Sequence, residues 1–498
     1  MASRSDSNLT NLHTIIMKRI FCALFTIFLI TLCGCGKEFL ERPPLNQVSA
    51  NTYWETDQAA IMGVSAIYDA MQKDLGYRLG MMTFGDVAGD GMASYDPDWF
   101  IFIDNFTVNS SDKQVPAAWR GWWAGITRAN IAIARIPGIK MDATLKTRLA
   151  NEAKFLRGVC YFNVVNIWGD APLITSEMTK EALLTIKRSP QAEVYAQIEK
   201  DFTDAEALPV SYPSSDIGRP TKGAAMAFLA RTYLYQKKYE SAKTKAKQVI
   251  DLGVYALHDK YIKNFQTAYE NGIESIFEVQ FVPGTGGWGN NEGNWTSNYT
   301  GPGPYVPTGG WGVIMPEKNE EKAYEPNDKR RAVNLFEAGS VYSGISYQAS
   351  WSPNSGTHIA KFIVGDDIIA AQGMVDADRN MPVIRYPEVL LIYAEALNET
   401  GQTAAAEPYI NQVRARAGLP PVTALSKDAT LDAILQERRI EFFGEGQRFF
   451  DLRRTGKADH YIRVVRGKAN FDVKKNLYFP IPLAEIELNP NLVQNPNY

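Results

Sequence analysis

Residues 222–253 read KGAAMAFLARTYLYQKKYESAKTKAKQVIDLG. Apolar residues recur three and four positions apart on both sides of Gln236-Lys237-Lys238, the spacing of one face of an α-helix. Alanines stand where two helices have to approach closely. The stretch therefore reads as two helices joined by a tight turn. YPEVLLIYAEALNETGQTAAAEPYINQVRARAG (386–418) repeats the pattern, with its break at Thr400-Gly401. This alternation of small and large residues resembles tetratricopeptide repeats, although the full repeat signature is absent and the copies are irregularly spaced. Further amphipathic helices are predicted over 56–75, 117–136 and 145–168. The expected fold is mainly α, a helical scaffold with tetratricopeptide-like pairs.

A different composition interrupts this scaffold from Glu274 to about Asp376. ESIFEVQF (274–281) reads as a short strand, and VPGTGGWGNNEGNWTSNYTGPGPYVPTGGWG (282–312) is too rich in Gly, Pro and Asn for a helix to persist. A loop of this length is commonly functional or disordered, and its Trp and Tyr content points to function. The glycines 284–289 match GxGxxG, but no helix can follow them to bind a phosphate. They read as loop punctuation around Trp288.

Near the N-terminus, Met17-Lys18-Arg19 precedes an apolar run, Ile20–Leu32, and then Cys33-Gly34-Cys35. A membrane span needs roughly 20 apolar residues, and this run is shorter, so it reads as the core of an export signal. Leu32-Cys33-Gly34-Cys35 resembles the bacterial lipobox, which makes Cys35 the expected lipidation site. The expected organisation is an extension and signal over 1–34, a lipid-anchored tether over 35–55, and one helical domain over 56–498 with its loop insertion at about 274–376. Loss of Cys22 and Cys33 with the signal would leave Cys160 in the body of the domain, read as a small core residue.

The formal charge of −3 gives no electrostatic footprint for nucleic acid. The four histidines, His13, His258, His358 and His460, are not spaced as metal ligands. No phosphate-binding loop or serine nucleophile elbow is present. ERRIEFFGEGQRFFDLRR (437–454) crowds carboxylates of the kind a glycosidase uses, but arginines surround them and lower their pKa values, which suits an ion network better than a general acid. Neither a catalytic residue, a metal nor a cofactor is expected.

Aromatic residues remain. The CH face of a sugar ring packs on indole or phenol while amides bind its hydroxyls. DPDWFIFIDN offers Trp99 and Asn105. The long loop offers Trp288, Asn291, Asn294, Trp295, Tyr299, Tyr305 and Trp311, and SYQASWSPNSG adds Trp351. Trp99, Trp288, Trp295 and Trp311 are expected near one concavity, whereas Trp119, Trp122, Trp123 and Trp168 lie in helical patterns and read as core.

Six blocks in order, KEFLERPP (37–44), EAKFLRGVCYFNVVNIWGDAPLIT (152–175), GRPTKGAAMAFLARTYLYQKKYESAKTKAKQVID (218–251), RYPEVLLIYAEALNETG (385–401), ERRIEFFGEGQRFFDLRRTGK (437–457) and YFPIPLAEIELNPNLVQNPNY (478–498), resemble the SusD/RagB family of outer-membrane lipoproteins. The resemblance implies a helical scaffold whose loops form the ligand face. It also implies surface exposure on the outer membrane and partnership with a TonB-dependent, SusC-like transporter. The expected ligand is an oligosaccharide. A peptide is the alternative, as RagB-like members imply, and a glycoside hydrolase is a more distant one.

Overall fold

The computed structural model describes residues 16–21, 53–282, 292–305, 310–363 and 377–498. Two compact units are distinguished, Met1–Thr56 and Asp57–Tyr498. Cys35, Trp288 and Asn291, together with the glycine run at 284–289, lie outside the described residues. Among the described residues, no helix is long and apolar enough to cross a membrane.

The second unit is built on ten main helices: α1 (Asp57–Gln72), α2 (Gln114–Arg135), α3 (Ala143–Trp168), α4 (Gln191–Ala205), α5 (Lys222–Tyr235), α6 (Tyr239–Asp251), α7 (Tyr386–Glu399), α8 (Thr403–Ala417), α9 (Lys427–Glu441) and α10 (Arg448–Arg454). Each of the first eight packs on the next in sequence, and α9 closes against α7 and α8. Local chemistry sets many of the boundaries. Asp142, Thr221 and Ser426 accept hydrogen bonds from backbone N–H groups at the starts of α3, α5 and α9. Gly418, at φ +80°, ends α8.

The pairs read from 222–253 and 386–418 are α5–α6 and α7–α8, with their breaks where expected. Helix α4 was not anticipated, although Val194, Tyr195, Ile198, Phe202 and Ala205 give it a buried face at helical spacing. One expectation needs correction: a short helix, Thr296–Thr300, forms within the Gly-rich stretch. It starts where the Asn294 side chain accepts the backbone N–H of Thr296, an Asx turn that composition alone does not reveal.

Helix α3 runs through the middle of the core. Trp168 is fully buried and donates its indole N–H to the carbonyl of Pro480. Trp119 and Trp122 are buried on α2, and half-buried Trp123 packs edge-on against Tyr161. Gly125 of α2 faces Cys160 so closely that an added Cβ would sit 2.7 Å from the sulfur. Burial pushes the Cys160 thiol up to about 12, so the thiolate is scarce and the residue acts as packing.

Two short antiparallel ladders tie the loops to this scaffold. Ser275–Val279 pairs with Met381–Arg385, and Met92–Ser94 pairs with Ile314–Pro316. Truncating Trp168 to Ala should lower unfolding free energy by about 3–5 kcal/mol, measured by denaturant melts of the pure protein. A loss under about 1 kcal/mol, within the range of an ordinary surface substitution, would contradict its place in the core.

Candidate ligand-binding site

The carboxylates of 437–454 are committed to buried ion pairs. Arg385 donates to Glu274 at 2.8 Å, Glu441 at 2.9 Å and Glu445 at 2.6 Å. Arg416 and Arg330 also reach Glu441, and Lys361 donates to Glu445 at 2.6 Å. Arg438 and Arg454 both bond Asp451. Burial alone would raise the Glu441 pKa, but Arg416, Arg385 and Arg330 outweigh it and hold the carboxyl well below its ordinary value. A carboxylate held ionised in this way is a poor general acid. Among the described residues, no group of three or more His, Cys, Asp or Glu side chains could hold a metal ion.

The Met92–Ser94 ladder decides where the aromatic loops meet. Its register is Met92 with Pro316, Ala93 with Met315 and Ser94 with Ile314. The N–H of Tyr95 extends it by donating to the Val313 carbonyl at 2.8 Å. Because the strands are antiparallel, chain leaving Ser94 towards Trp99 and chain arriving at Ile314 from Trp311 lie at the same end. Rings continue the connection: Trp99 to Phe100 at 6.3 Å, Phe100 to Tyr299 at 5.7 Å, and Tyr299 to Trp311 at 4.8 Å, edge to face. Trp99, Tyr299 and Trp311 are each half-buried, whereas Phe100 is buried behind them. Burial, then Asp96 and Asp74, push the Tyr299 hydroxyl up to about 12. It therefore keeps its proton at neutral pH and can donate to a ligand.

Beside Trp99 lies a cavity of about 520 Å3 between α1 and α2. Ala117, Gly121 and Ala124 of α2 lie along it, and their small side chains leave the space open. Arg78 borders it, with its guanidinium 5.0 Å from the centre of the Trp295 ring. A second concavity, of about 420 Å3, is rimmed by exposed Val210, Ile217, Val254 and Ile273. Its tyrosines Tyr212 and Tyr255 direct their hydroxyls to Pro220 and Thr221.

Other expected ligand residues serve packing. Asn294 is buried, donating to the Arg379 carbonyl at 2.8 Å and accepting from Thr296. Trp295 is only 5% exposed, sandwiched against Arg78. Tyr305, 2% exposed, joins Phe336, Tyr342 and Tyr347 in a small aromatic core and donates to the Ile345 carbonyl at 2.9 Å. Trp351 packs edge-on against Tyr305 and Tyr347. Asn105 accepts from the Lys468 ammonium at 3.2 Å. Asn294, Trp295 and Tyr305, expected as ligand contacts, are thus buried within loop packing. Sequence reading missed Phe100 and Arg78; Phe100 was visible as Trp99's neighbour, whereas nothing local marked Arg78.

A sequence model described as the SusD family matches residues 273–498, and one described as "Starch-binding associating with outer membrane" matches 38–234. A solved structure, a laminarin-binding SusD-like protein, is 30% identical, with a TM-score of 0.78 over 89% of this chain and 100% of that one. The chain belongs to the SusD family. SusD-like protein P2 of Formosa agariphila is 27% identical, covering 95% of this chain and 99% of that protein. The starch-binding protein SusD of Bacteroides thetaiotaomicron is 24% identical, covering 75% of this chain and 76% of that one. Surface glycan-binding protein A from Bacteroides thetaiotaomicron, solved with laminarihexaose, shares the fold at a TM-score of 0.77, with 24% identity, covering 89% of this chain and 100% of that one. The family is one of carbohydrate-binding proteins that associate with the outer membrane, so this SusD-family member is a binding protein and not an enzyme. That removes the glycoside hydrolase alternative.

The buried ion pairs carry a pH signature. Glu441 titrates below its ordinary value of about 4.5 when folded. Its stabilisation is therefore complete above that value and is lost as pH falls below it. Glu441→Gln should cost about 3–5 kcal/mol at pH 7, because the arginines around it lose a buried partner. The deficit should shrink in acid. Urea melts at several pH values measure both, and a deficit independent of pH would contradict the assignment.

Proposed function

We propose that this protein captures an oligosaccharide at the aromatic arc of Trp99, Tyr299 and Trp311, and delivers it to a TonB-dependent, SusC-like transporter in the outer membrane. The observation that carries the reading is the convergence of two loops about two hundred residues apart onto one end of the Met92–Ser94 ladder. A half-buried ring fixed by its neighbours presents a flat apolar face at little entropic cost, which is what the CH face of a pyranose requires. The protonated Tyr299 hydroxyl supplies a hydrogen-bond donor beside it. Anchored capture needs no nucleophile and no general acid. The laminarin bound by a relative 30% identical over nearly the whole chain supports a glycan over a peptide.

The same reading places the protein on the cell surface, anchored by lipid at Cys35. Metabolic labelling with a palmitate analogue should mark the wild type and leave Cys35→Ala unlabelled but folded. Labelling that persists in the variant places the lipid elsewhere.

Trp99→Ala and Trp311→Ala should each weaken glycan binding by about 1–3 kcal/mol, read by affinity electrophoresis against a polysaccharide panel, with little change in melting temperature. Variants that bind normally but melt early would show that these rings only pack the loops. Product release from any polysaccharide would contradict a binding role, and capture of peptides alone would move the ligand class to peptide.

A further inference from the structure

The cavity beside Trp99 has an electrostatic character that the whole chain does not share. The protein carries a formal charge of −3, yet four cations, Lys73, Arg78, Arg120 and Arg128, line this cavity against three carboxylates, Asp69, Asp74 and Glu292. Asp69 is shared by Lys73 and Arg128, both at 2.6 Å, and Asp74 is paired with Arg78 at 2.8 Å. Arg120, exposed on the α2 face of the cavity, has no ion-pair partner among the described residues; Glu485 opposes it only at longer range. At Trp99 itself the charges offset: Lys113 sits 4.6 Å from the ring centre and Asp96 accepts the Trp99 backbone N–H at 3.0 Å, so the positive excess is that of the cavity.

Resting on the glycan reading above, we infer that this cavity receives an anionic substituent, a carboxylate or sulfate ester, on the sugar unit next to the one that stacks on Trp99. A neutral sugar would gain little from Arg120, which water already solvates. An anion would complete the charge balance of a cavity partly walled from solvent, where charge-assisted bonds are stronger than neutral ones. Guanidinium suits both candidates, because its planar fork meets two oxygens of a carboxylate or sulfate. The small side chains of Ala117, Gly121 and Ala124 keep the approach to these cations open.

The test is native affinity electrophoresis of the full-length protein in detergent. One pair of gels contains laminarin and sulfated laminarin, which share a backbone, and further gels contain alginate, polygalacturonate and a neutral galactomannan. Anionic polymers should retard the protein more than neutral ones, and the difference should fade as ionic strength rises from about 0.05 to about 0.5 M. Arg120→Gln should weaken retention on the anionic gels about tenfold while keeping any neutral retention and the wild-type melting temperature. Sulfate-bearing and carboxylate-bearing gels separate the two sources of charge. Retention on neutral gels alone, or an Arg120→Gln variant indistinguishable from wild type on anionic gels, overturns the anionic assignment and leaves the glycan reading intact. Retention on none of the gels overturns both.

Discussion

Arg385 is the residue on which the rest of the structure turns. Its guanidinium, 1% exposed, is shared among Glu274, Glu441 and Glu445, which come from the strand at 275, the end of α9 and the loop before α10. Burying such charges is costly, and their attraction repays the cost only when every partner is present and well placed. The demand extends along the chain. Backbone N–H groups of Gly446 and Arg448 bond Asp86, and the Arg448 side chain bonds Asp90. Gly446 takes φ +80°, and Gly85 approaches its carbonyl too closely for any side chain. Met92–Ser94 follows immediately, so the network at the C-terminal end of the chain fixes the register of the ladder that gathers Trp99 and Trp311.

This arrangement separates two uses of charge. Within the network, carboxylates and guanidinium groups satisfy one another away from water and offer a ligand nothing. Towards solvent, between α1 and α2, the pairing is incomplete and the walls are aromatic or small. A protein that catches and releases a solute needs the second kind of surface held rigidly by the first. Chemistry at the site would require a carboxylate with its pKa raised into the working range beside the bound sugar, and Glu441, Glu445 and Asp451 are held the other way by arginine.

The helical pairs were legible because a 3.6-residue period is a local signal: Ala224, Ala227 and Ala230 already show where α5 is approached closely, and all three are fully buried. The 437–454 cluster was legible as an ion network from its own arginines. Its distant partners, Arg330, Lys361, Arg385 and Arg416, were not, since pairing across a hundred residues leaves no mark on local spacing. The same limit governs the loop aromatics. Trp295, between Asn294 and Thr296, and Trp311, between Gly310 and Gly312, both sit among small or polar loop residues, but one is covered by Arg78 and the other stays half-exposed. Two-residue strands such as Leu335–Phe336 and His358–Ile359 exist only through their partners, and Trp351 and Tyr305 were drawn into that aromatic cluster by contacts no pattern foretold.

The most direct measurement is a crystal structure of the protein with an oligosaccharide that it retains on a gel. The account predicts a pyranose ring stacked on Trp99 or Trp311, within hydrogen-bond reach of Tyr299, with the Arg385 network unchanged from the unliganded protein. Sugar density in the aliphatic concavity beside Val210 and Ile273, with the Trp99–Tyr299–Trp311 arc empty, would contradict it.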